Sequence, residues 1–163
     1  MTEIFANIDL LKQRNAEEIA NNWHYDGEYS FYDMENDLED YEEIISPNQR
    51  RDNYFQILDK DGHLVAFFCI DPEDKTRTEV GLGMTPALTG KGLGLELMRV
   101  IEEYVKQHTD YKTIILSVAS FNNRAIKVYK RAGFEQVGVE NEKSNGGAGV
   151  FLFPTSPYPS CYN

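Results

Sequence analysis

Three glycines, Gly90, Gly92 and Gly94, alternate with other residues between an apolar segment typical of a strand and a periodic segment typical of a helix. Glycine has no Cβ atom, so the backbone there can take left-handed conformations and approach a bound group closely. A helix that starts directly after such a loop presents N–H groups and the positive end of its dipole to an anion. The loop therefore predicts either a phosphate-binding turn or a tight turn with a structural role only.

Two common phosphate loops do not fit this segment. A Walker loop requires Ser or Thr after its lysine, but Lys91 is followed by Gly92. The dinucleotide-binding fingerprint requires a wider final glycine spacing than the one found at 90, 92 and 94. The loop is therefore of another kind.

Hydrophobic patterning around the loop predicts an α/β (α+β) chain with no internal repeat and no linker. Helical periodicity predicts helices at 8–23, at 36–45 with Pro47 ending it, over about 15 residues from the glycine loop, and at 124–132. Apolar runs between turn signals predict strands at 54–58, 64–70, 76–84, 113–119, 134–139 and 150–153. The first three strands are expected to form an antiparallel meander whose first turn is 59–62, and 145–147 is expected to be the turn of a closing hairpin.

A second pattern follows the loop after one helix and one strand. It contains, in order, Asn122, Ala125, Tyr129 and the pair Gly133-Phe134. Together with Met84-x-Pro86 and the three glycines, it resembles the two cofactor segments of the GNAT superfamily of N-acetyltransferases. Thr89 stands where this superfamily usually has Gln or Arg, so a hydroxyl replaces the side chain that normally supports the loop.

This resemblance covers about residues 54–139 and implies the GNAT fold, a mixed and mostly antiparallel sheet with splayed central strands flanked by helices. We expect one domain over 1–163. Within it, residues 1–50 would form the acceptor-side helices, 54–139 the acetyl-CoA-binding core, and 140–163 a C-terminal hairpin and tail.

The resemblance also implies acetyl-CoA as co-substrate and assigns residues to it. The pyrophosphate would lie on the loop formed by Thr89, Gly90, Lys91, Gly92, Leu93 and Gly94. The pantetheine would bind backbone groups at the strand end formed by Leu82, Gly83 and Met84. Lys91 is equally readable as a solvated surface lysine. Asn122 would lie against the pantetheine or help to orient the catalytic groups, and its residue type also suits the N-cap of the following helix.

Two residues are candidates for acid–base chemistry. The resemblance implies that Tyr129 protonates the departing thiolate, although the same position also suits a core aromatic. Glu79 is a charged residue within a strand, where such residues are disfavoured, and the resemblance implies a general base there, since related proteins often carry a glutamate that accepts the amine proton, frequently through water. An edge or surface glutamate is the alternative.

Charge is distributed unevenly along the chain. The net charge is −11, with −13 on residues 1–80 and +2 on residues 81–163. An acidic half repels nucleic acid and favours a cationic substrate, and a contribution to solubility alone is the alternative. The aromatic segment that precedes its run of acids offers Trp23, Tyr29 and Tyr32 as candidate acceptor-binding residues. Core aromatics beside a solvated acidic helix are the competing interpretation.

The remaining signals are negative. The two cysteines and three histidines lack metal-ligand spacing, so we expect no metal. No run approaches the ~18 apolar residues of a membrane span, and the first eleven residues do not resemble a signal peptide. We therefore expect a cytoplasmic protein that binds neither membrane nor nucleic acid, and a homodimer is compatible with the sequence.

The predicted function is transfer of the acetyl group of acetyl-CoA to a primary amine, on a small molecule or a protein, directly within a ternary complex. One alternative is a non-catalytic acyl-CoA-binding or sensing domain. Another is an interaction protein whose acidic face binds a basic partner.

Overall fold

The computed structural model describes residues 2–72, 74–119, 121–141 and 148–154, and seven strands and five α-helices lie within these residues. The strands are β1 (Asn7–Leu10), β2 (Tyr54–Leu58), β3 (Leu64–Pro72), β4 (Arg77–Met84), β5 (Thr113–Ala119), β6 (Phe134–Asn141) and β7 (Ala148–Pro154). The helices are α1 (Gln13–Asn22), α2 (Leu38–Ile45), α3 (Pro47–Arg50), α4 (Gly94–His108) and α5 (Asn123–Arg131). Short 3₁₀ helices cover Gly27–Tyr32, Met34–Asn36 and Pro86–Leu88.

The chain divides into two compact units. The first unit consists of Met1–Cys69 and Leu82–Thr89, and the second of Ile70–Gly81 and Gly90–Asn163. Strands β3 and β4 contribute residues to both. The expectation of one domain over the whole chain stays a prediction.

In the first unit, β1, β2 and β3 follow one another as antiparallel neighbours. The predicted helix at 8–23 is wrong at its start, because Asn7–Leu10 is the strand β1, with Leu10 opposite Phe55. Helical periodicity cannot detect this pairing, since the edge of β2 that supplies the hydrogen-bond partners lies more than forty residues later. The predicted turn at 59–62 is confirmed: the Asp59 carboxylate accepts the N–H groups of Asp61 and His63, both at 2.9 Å.

Helices α1 and α2 bury apolar side chains in the core of the first unit. This core contains Leu11, Ala16, Ile19, Ala20, Trp23, Ile44, Tyr54 and Phe67. Helix α2 starts two residues later than predicted, where Asp37 caps it, and it ends before Pro47 as expected. Pro47 then opens the short helix α3, because its fixed φ suits a first helical position.

In the second unit the strand order is β4-β5-β7-β6. Strands β4 and β5 are parallel and pair over four residues, from Arg77 opposite Thr113 to Val80 opposite Leu116. The other neighbours are antiparallel. Because β4 continues to Met84 and β5 to Ala119, each strand extends beyond the stretch where they pair. The mixed, mostly antiparallel strands with flanking helices confirm the predicted fold class.

Helix α4 has the predicted 15 residues and starts at Gly94, directly after the glycine loop. Its inward face buries Leu97, Met98, Ile101 and Val105. No helix within the described residues is both long and apolar enough to cross a membrane. The predicted turn at 145–147 lies outside the described residues.

Candidate active site

The glycine loop of the second unit has the backbone conformation that requires glycine. Gly90 and Gly92 have φ of +73° and +77°, in the left-handed region that other residues rarely adopt. A Cβ atom added at Gly92 would meet nothing within 4 Å, so the loop faces open space there. Leu93, at the N-cap of α4, has no polar side-chain atom with which to cap the helix. The first N–H groups of a 15-residue helix thus follow a loop with room for a ligand.

Helix α5 lies close to this loop. A Cβ at Gly94 would lie 3.3 Å from both γ-carbons of Val128, so glycine permits the close approach. A Cβ at Gly90 would lie 3.3 Å from Nη1 of Arg124, so the guanidinium group of Arg124 lies beside the loop. A side chain of this kind suits a phosphate group.

Arg124 was not among the predicted site residues. The sequence could have indicated Arg124 as a candidate, because it lies in the first turn of α5, where the helix dipole disfavours a cation. The helix dipole does not stabilise a basic residue at such a position. Lys91, which the sequence did single out, is exposed in the loop.

Asn122 and Tyr129 belong to α5 and its cap. Asn122 is buried and its Oδ1 accepts a hydrogen bond from the Ala125 N–H at 3.1 Å, which confirms the N-cap role. Tyr129 is half-buried, with its ring centroid 6.4 Å from that of Phe134 and the two planes at 62°. The Tyr129 ring is therefore packed on one side.

Glu79 lies in β4 opposite Ile115 of β5. It is half-buried, whereas its neighbours Thr78 and Val80 are fully buried. Because side chains alternate along a strand, Glu79 is on the face opposite to theirs. The second unit thus carries both predicted acid–base residues, the glycine loop from Gly90 onward and Asn122.

The end of β4 in the first unit holds Leu82, Gly83 and Met84, all half-buried. Glycine is required at 83, since a Cβ there would lie 2.5 Å from Cε1 of Phe67. Thr89 closes the following 3₁₀ turn, and its hydroxyl donates to the Pro86 carbonyl at 2.7 Å. The hydroxyl that replaces the usual Gln or Arg therefore braces the turn itself.

Tyr25, which was not predicted, contacts this strand end. Its hydroxyl donates to the carbonyl of Met84 at 2.7 Å. Burial raises the pKa of Tyr25 above its usual value, so the hydroxyl stays protonated and remains a donor. No sequence signal could have found this pair, because the two residues are 59 positions apart.

The aromatic segment that was predicted to bind the acceptor divides in two. Trp23 is 5% exposed and packs against Phe67 in the core, which supports the packing alternative for this residue. Tyr29 is half-buried, and Tyr32 is 36% exposed with its ring at right angles to that of Phe31, 5.2 Å away. The 3₁₀ segment Gly27–Tyr32 therefore presents aromatic surface to solvent.

Carboxylates of the same region serve different purposes. Asp33 accepts the Tyr25 N–H at 2.8 Å and lies 3.2 Å from Nδ1 of His24. Glu43 accepts the Tyr54 hydroxyl at 2.7 Å. Others, such as Glu39 and Glu42 of α2, are exposed. The acidic surface thus combines structural acceptors with solvated charges.

One group of the first unit has the composition of a metal site. Ligand atoms of Asp59, Asp61 and His63 lie within 4.8 Å of one another. The hydrogen bonds of the β2–β3 turn account for this grouping, because the Asp59 carboxylate binds the backbone that follows it.

Comparison with known proteins places these observations in a family. Residues 16–134 match the family model described as Acetyltransferase (GNAT) family. No curated protein sequence is significantly similar to the chain.

Solved structures share the fold. The spermidine N-acetyltransferase from Vibrio cholerae, in complex with CoA and spermine, superimposes with a TM-score of 0.72 and 19% identity, over 94% of this chain and 98% of that chain. A chimera of the Vibrio cholerae enzyme and hSSAT gives a TM-score of 0.72 and 17% identity, over 91% of this chain and 93% of that chain.

Proposed function

The chain belongs to the GNAT acetyltransferase family and is an acetyl-CoA-dependent acyltransferase, and on that premise we propose that it transfers the acetyl group directly to a primary amine. A protonated amine first gives up one proton to become the nucleophile; the neutral nitrogen then bonds to the acetyl carbon, the carbon–sulfur bond breaks, the nitrogen loses one further proton and the sulfur gains one. No covalent enzyme intermediate is needed, so both substrates bind before either product leaves.

The observation that carries this proposal is the anion-binding character of the glycine loop. Two glycines in the left-handed conformation shape the loop, and there is open space at Gly92 for a ligand. The start of α4 supplies N–H donors. Arg124 adds a cationic group near Gly90. These features fit the pyrophosphate of CoA, which carries negative charge and needs several donors at short range.

We assign the proton transfers to two side chains of the second unit. Tyr129 donates the proton that the sulfur gains, and Glu79 accepts the proton that the amine loses, directly or through a water. The half-buried positions of both residues support these roles, since each side chain is oriented by packing yet accessible to solvent. Backbone groups at Met84 orient the pantetheine, and backbone N–H groups near the strand end stabilise the charge that develops on the acetyl oxygen.

We propose a cationic amine as the acceptor. The first unit carries 16 Asp and Glu against five Lys and Arg, while the aromatic rings of Tyr29 and Tyr32 offer cation–π surfaces. A protein of the same fold acts on spermidine, a small polycationic amine, which supports the same class. Polyamines and small diamines are therefore the first acceptors to test, followed by lysine-containing peptides.

Two-substrate kinetics test the proposal. We expect thiol release from acetyl-CoA with a panel of primary amines, acetylated product by mass spectrometry, and intersecting double-reciprocal lines typical of a ternary complex. Glu79→Gln should depress the rate most at the pH where the amine is largely protonated. Parallel lines would overturn direct transfer.

The same experiment addresses the non-catalytic alternative. A binding or sensing domain would bind acetyl-CoA in calorimetry yet release no thiol with any amine of the panel. A chain that binds no acetyl-CoA at all would overturn both functions.

A further inference from the structure

The peptide group that joins Met84 to Thr85 is held at both of its polar ends. Its carbonyl accepts the Tyr25 hydroxyl at 2.7 Å, and its N–H donates to the Val65 carbonyl at 2.9 Å. A peptide group is planar, so fixing both ends fixes the direction in which its carbonyl and N–H point.

The surroundings of this peptide reinforce the restraint. Gly83 lies so close to the Phe67 ring that a single added carbon atom would overlap it. Phe67 is itself buried and packs against Trp23, with ring centroids 6.0 Å apart. Movement of the strand end toward the ring is therefore blocked, while the hydrogen bonds at its two ends restrain rotation of the Met84–Thr85 peptide.

The backbone of Tyr25 is itself anchored by Asp33. Its N–H donates to Oδ1 of Asp33 at 2.8 Å, and the other carboxylate oxygen of Asp33 lies 3.2 Å from His24. The segment that follows α1 is thereby fastened at the point from which Tyr25 reaches β4. The side chain of Tyr25 therefore extends to the Met84 carbonyl from a backbone whose position is restrained.

The bond from Tyr25 leaves the Met84 carbonyl able to accept a second donor. A carbonyl oxygen has two lone pairs, and the hydroxyl occupies one of them. The hydroxyl therefore directs the carbonyl without blocking it. A donor on the pantetheine arm of CoA could use the remaining lone pair.

We propose that Tyr25 is a positioning residue that sets the orientation of the Met84 carbonyl for the pantetheine arm of acetyl-CoA. This inference rests on the proposed function, because it takes the end of β4 as the place where the pantetheine binds. It assigns a role to a side chain of the aromatic segment that contacts neither the acetyl group nor the acceptor. It also makes the segment after α1 part of the cofactor site through a single hydrogen bond.

Two probes separate positioning of the pantetheine from a general loss of structure. CoA contains both the pantetheine arm and the nucleotide, whereas adenosine 3′,5′-bisphosphate contains the nucleotide part alone. Calorimetry on Tyr25→Phe should show CoA affinity reduced by about three- to tenfold, the range for one hydrogen bond, with affinity for the bisphosphate unchanged. In turnover, KM for acetyl-CoA should rise by the same factor while KM for the acceptor amine changes little.

Tyr54→Phe is the matched control. Its hydroxyl also donates at 2.7 Å, to Glu43, and its side chain is buried in the same unit. Both variants lose one hydroxyl and one hydrogen bond, and because the acceptor of Tyr54 is a carboxylate, Tyr54→Phe should lower the melting temperature at least as much as Tyr25→Phe. Only Tyr25→Phe should weaken CoA binding.

A second variant keeps the test valid if Tyr25→Phe does not fold. Asp33→Ala retains the hydroxyl but removes the acceptor of the Tyr25 N–H, and it should weaken CoA binding in the same probe-selective manner. Equal weakening of both probes, or a Tyr25→Phe profile equal to that of Tyr54→Phe, would overturn the inference alone. A wild-type chain that binds no CoA would overturn the proposed function, and this outcome is visible before any variant is made.

Discussion

The two units of this chain differ in charge and in how they present their candidate site residues. The first unit carries the whole net charge of −11, whereas the second has 11 acidic and 11 basic residues and no net charge. We assign the phosphate-rich end of CoA to the second unit, because the acidic surface of the first unit would repel it. We propose that the acceptor binds to the first unit, whose acidic surface would attract a cationic amine.

The units also differ in the kind of group that we expect to hold CoA. The second unit relies on backbone conformation, with two left-handed glycines and an asparagine cap set by local sequence. The first unit relies on side chains that reach across it, such as Tyr25 to the end of β4. Substitution of a loop glycine should therefore weaken cofactor binding more than the loss of any one hydrogen bond from a side chain of the first unit.

The largest expected effect tests whether the glycine loop of the second unit binds the pyrophosphate of acetyl-CoA. Gly92→Glu should reduce acetyl-CoA affinity by about 100-fold or more, because a side chain with negative charge would occupy the space for the pyrophosphate. Calorimetry measures the loss. Gly62→Glu is the control, since Gly62 also has a positive φ, +85°, and open space around it. Unchanged affinity in a folded Gly92→Glu protein would show that the loop is only a turn.

The next effect separates binding from chemistry within the second unit. Tyr129→Phe should lower kcat by roughly 10- to 100-fold and leave CoA affinity nearly intact, since it removes a proton donor and little volume. Tyr104→Phe on α4 is a matched control, because Tyr104 is also half-buried in a helix of this unit. Wild-type turnover in Tyr129→Phe would assign thiolate protonation to water or to another residue.

A smaller effect tests the acidic first unit. Cationic amines should be preferred over neutral or anionic ones, and their KM at saturating acetyl-CoA should rise about two- to threefold with added salt, because screening acts over roughly 10 Å at 0.1 M. The exposed pair Glu39→Gln and Glu42→Gln should reproduce part of this rise, whereas Glu135→Gln in the second unit should not. A KM that does not depend on salt would show that these carboxylates are solvated surface charges with no role in acceptor binding.

The smallest effect concerns the segment that carries Tyr25. A hydrogen bond to Asp33, aided by Glu35, raises the pKa of His24 above its usual 6.5. A raised pKa in the folded state stabilises the protein fully below the unfolded-state pKa, and this stabilisation is lost as pH rises through the folded-state pKa. His24→Gln should therefore lower the melting temperature in acid and match the wild type in mildly alkaline buffer. A difference that stays constant across this range would contradict the assignment.

Much of the second unit could be predicted from local patterns. The start and length of α4, the bounds of β5 and the asparagine cap of α5 all follow from residues within a few positions of one another. The beginning of the chain could not be predicted in this way. Residues 7–10 form a strand because the edge of β2 offers them hydrogen-bond partners, and this edge is invisible to a short sequence window.

The sequence by itself determined the family, the glycine loop and the charge asymmetry, because each depends on residue type and short spacing. Only the tertiary structure decided that Arg124 lies beside Gly90, that Trp23 belongs to the core, and that Tyr25 holds the carbonyl of Met84. These three facts join residues that are far apart in the chain. Their distances depend on how strands and helices pack, and no local propensity encodes that packing.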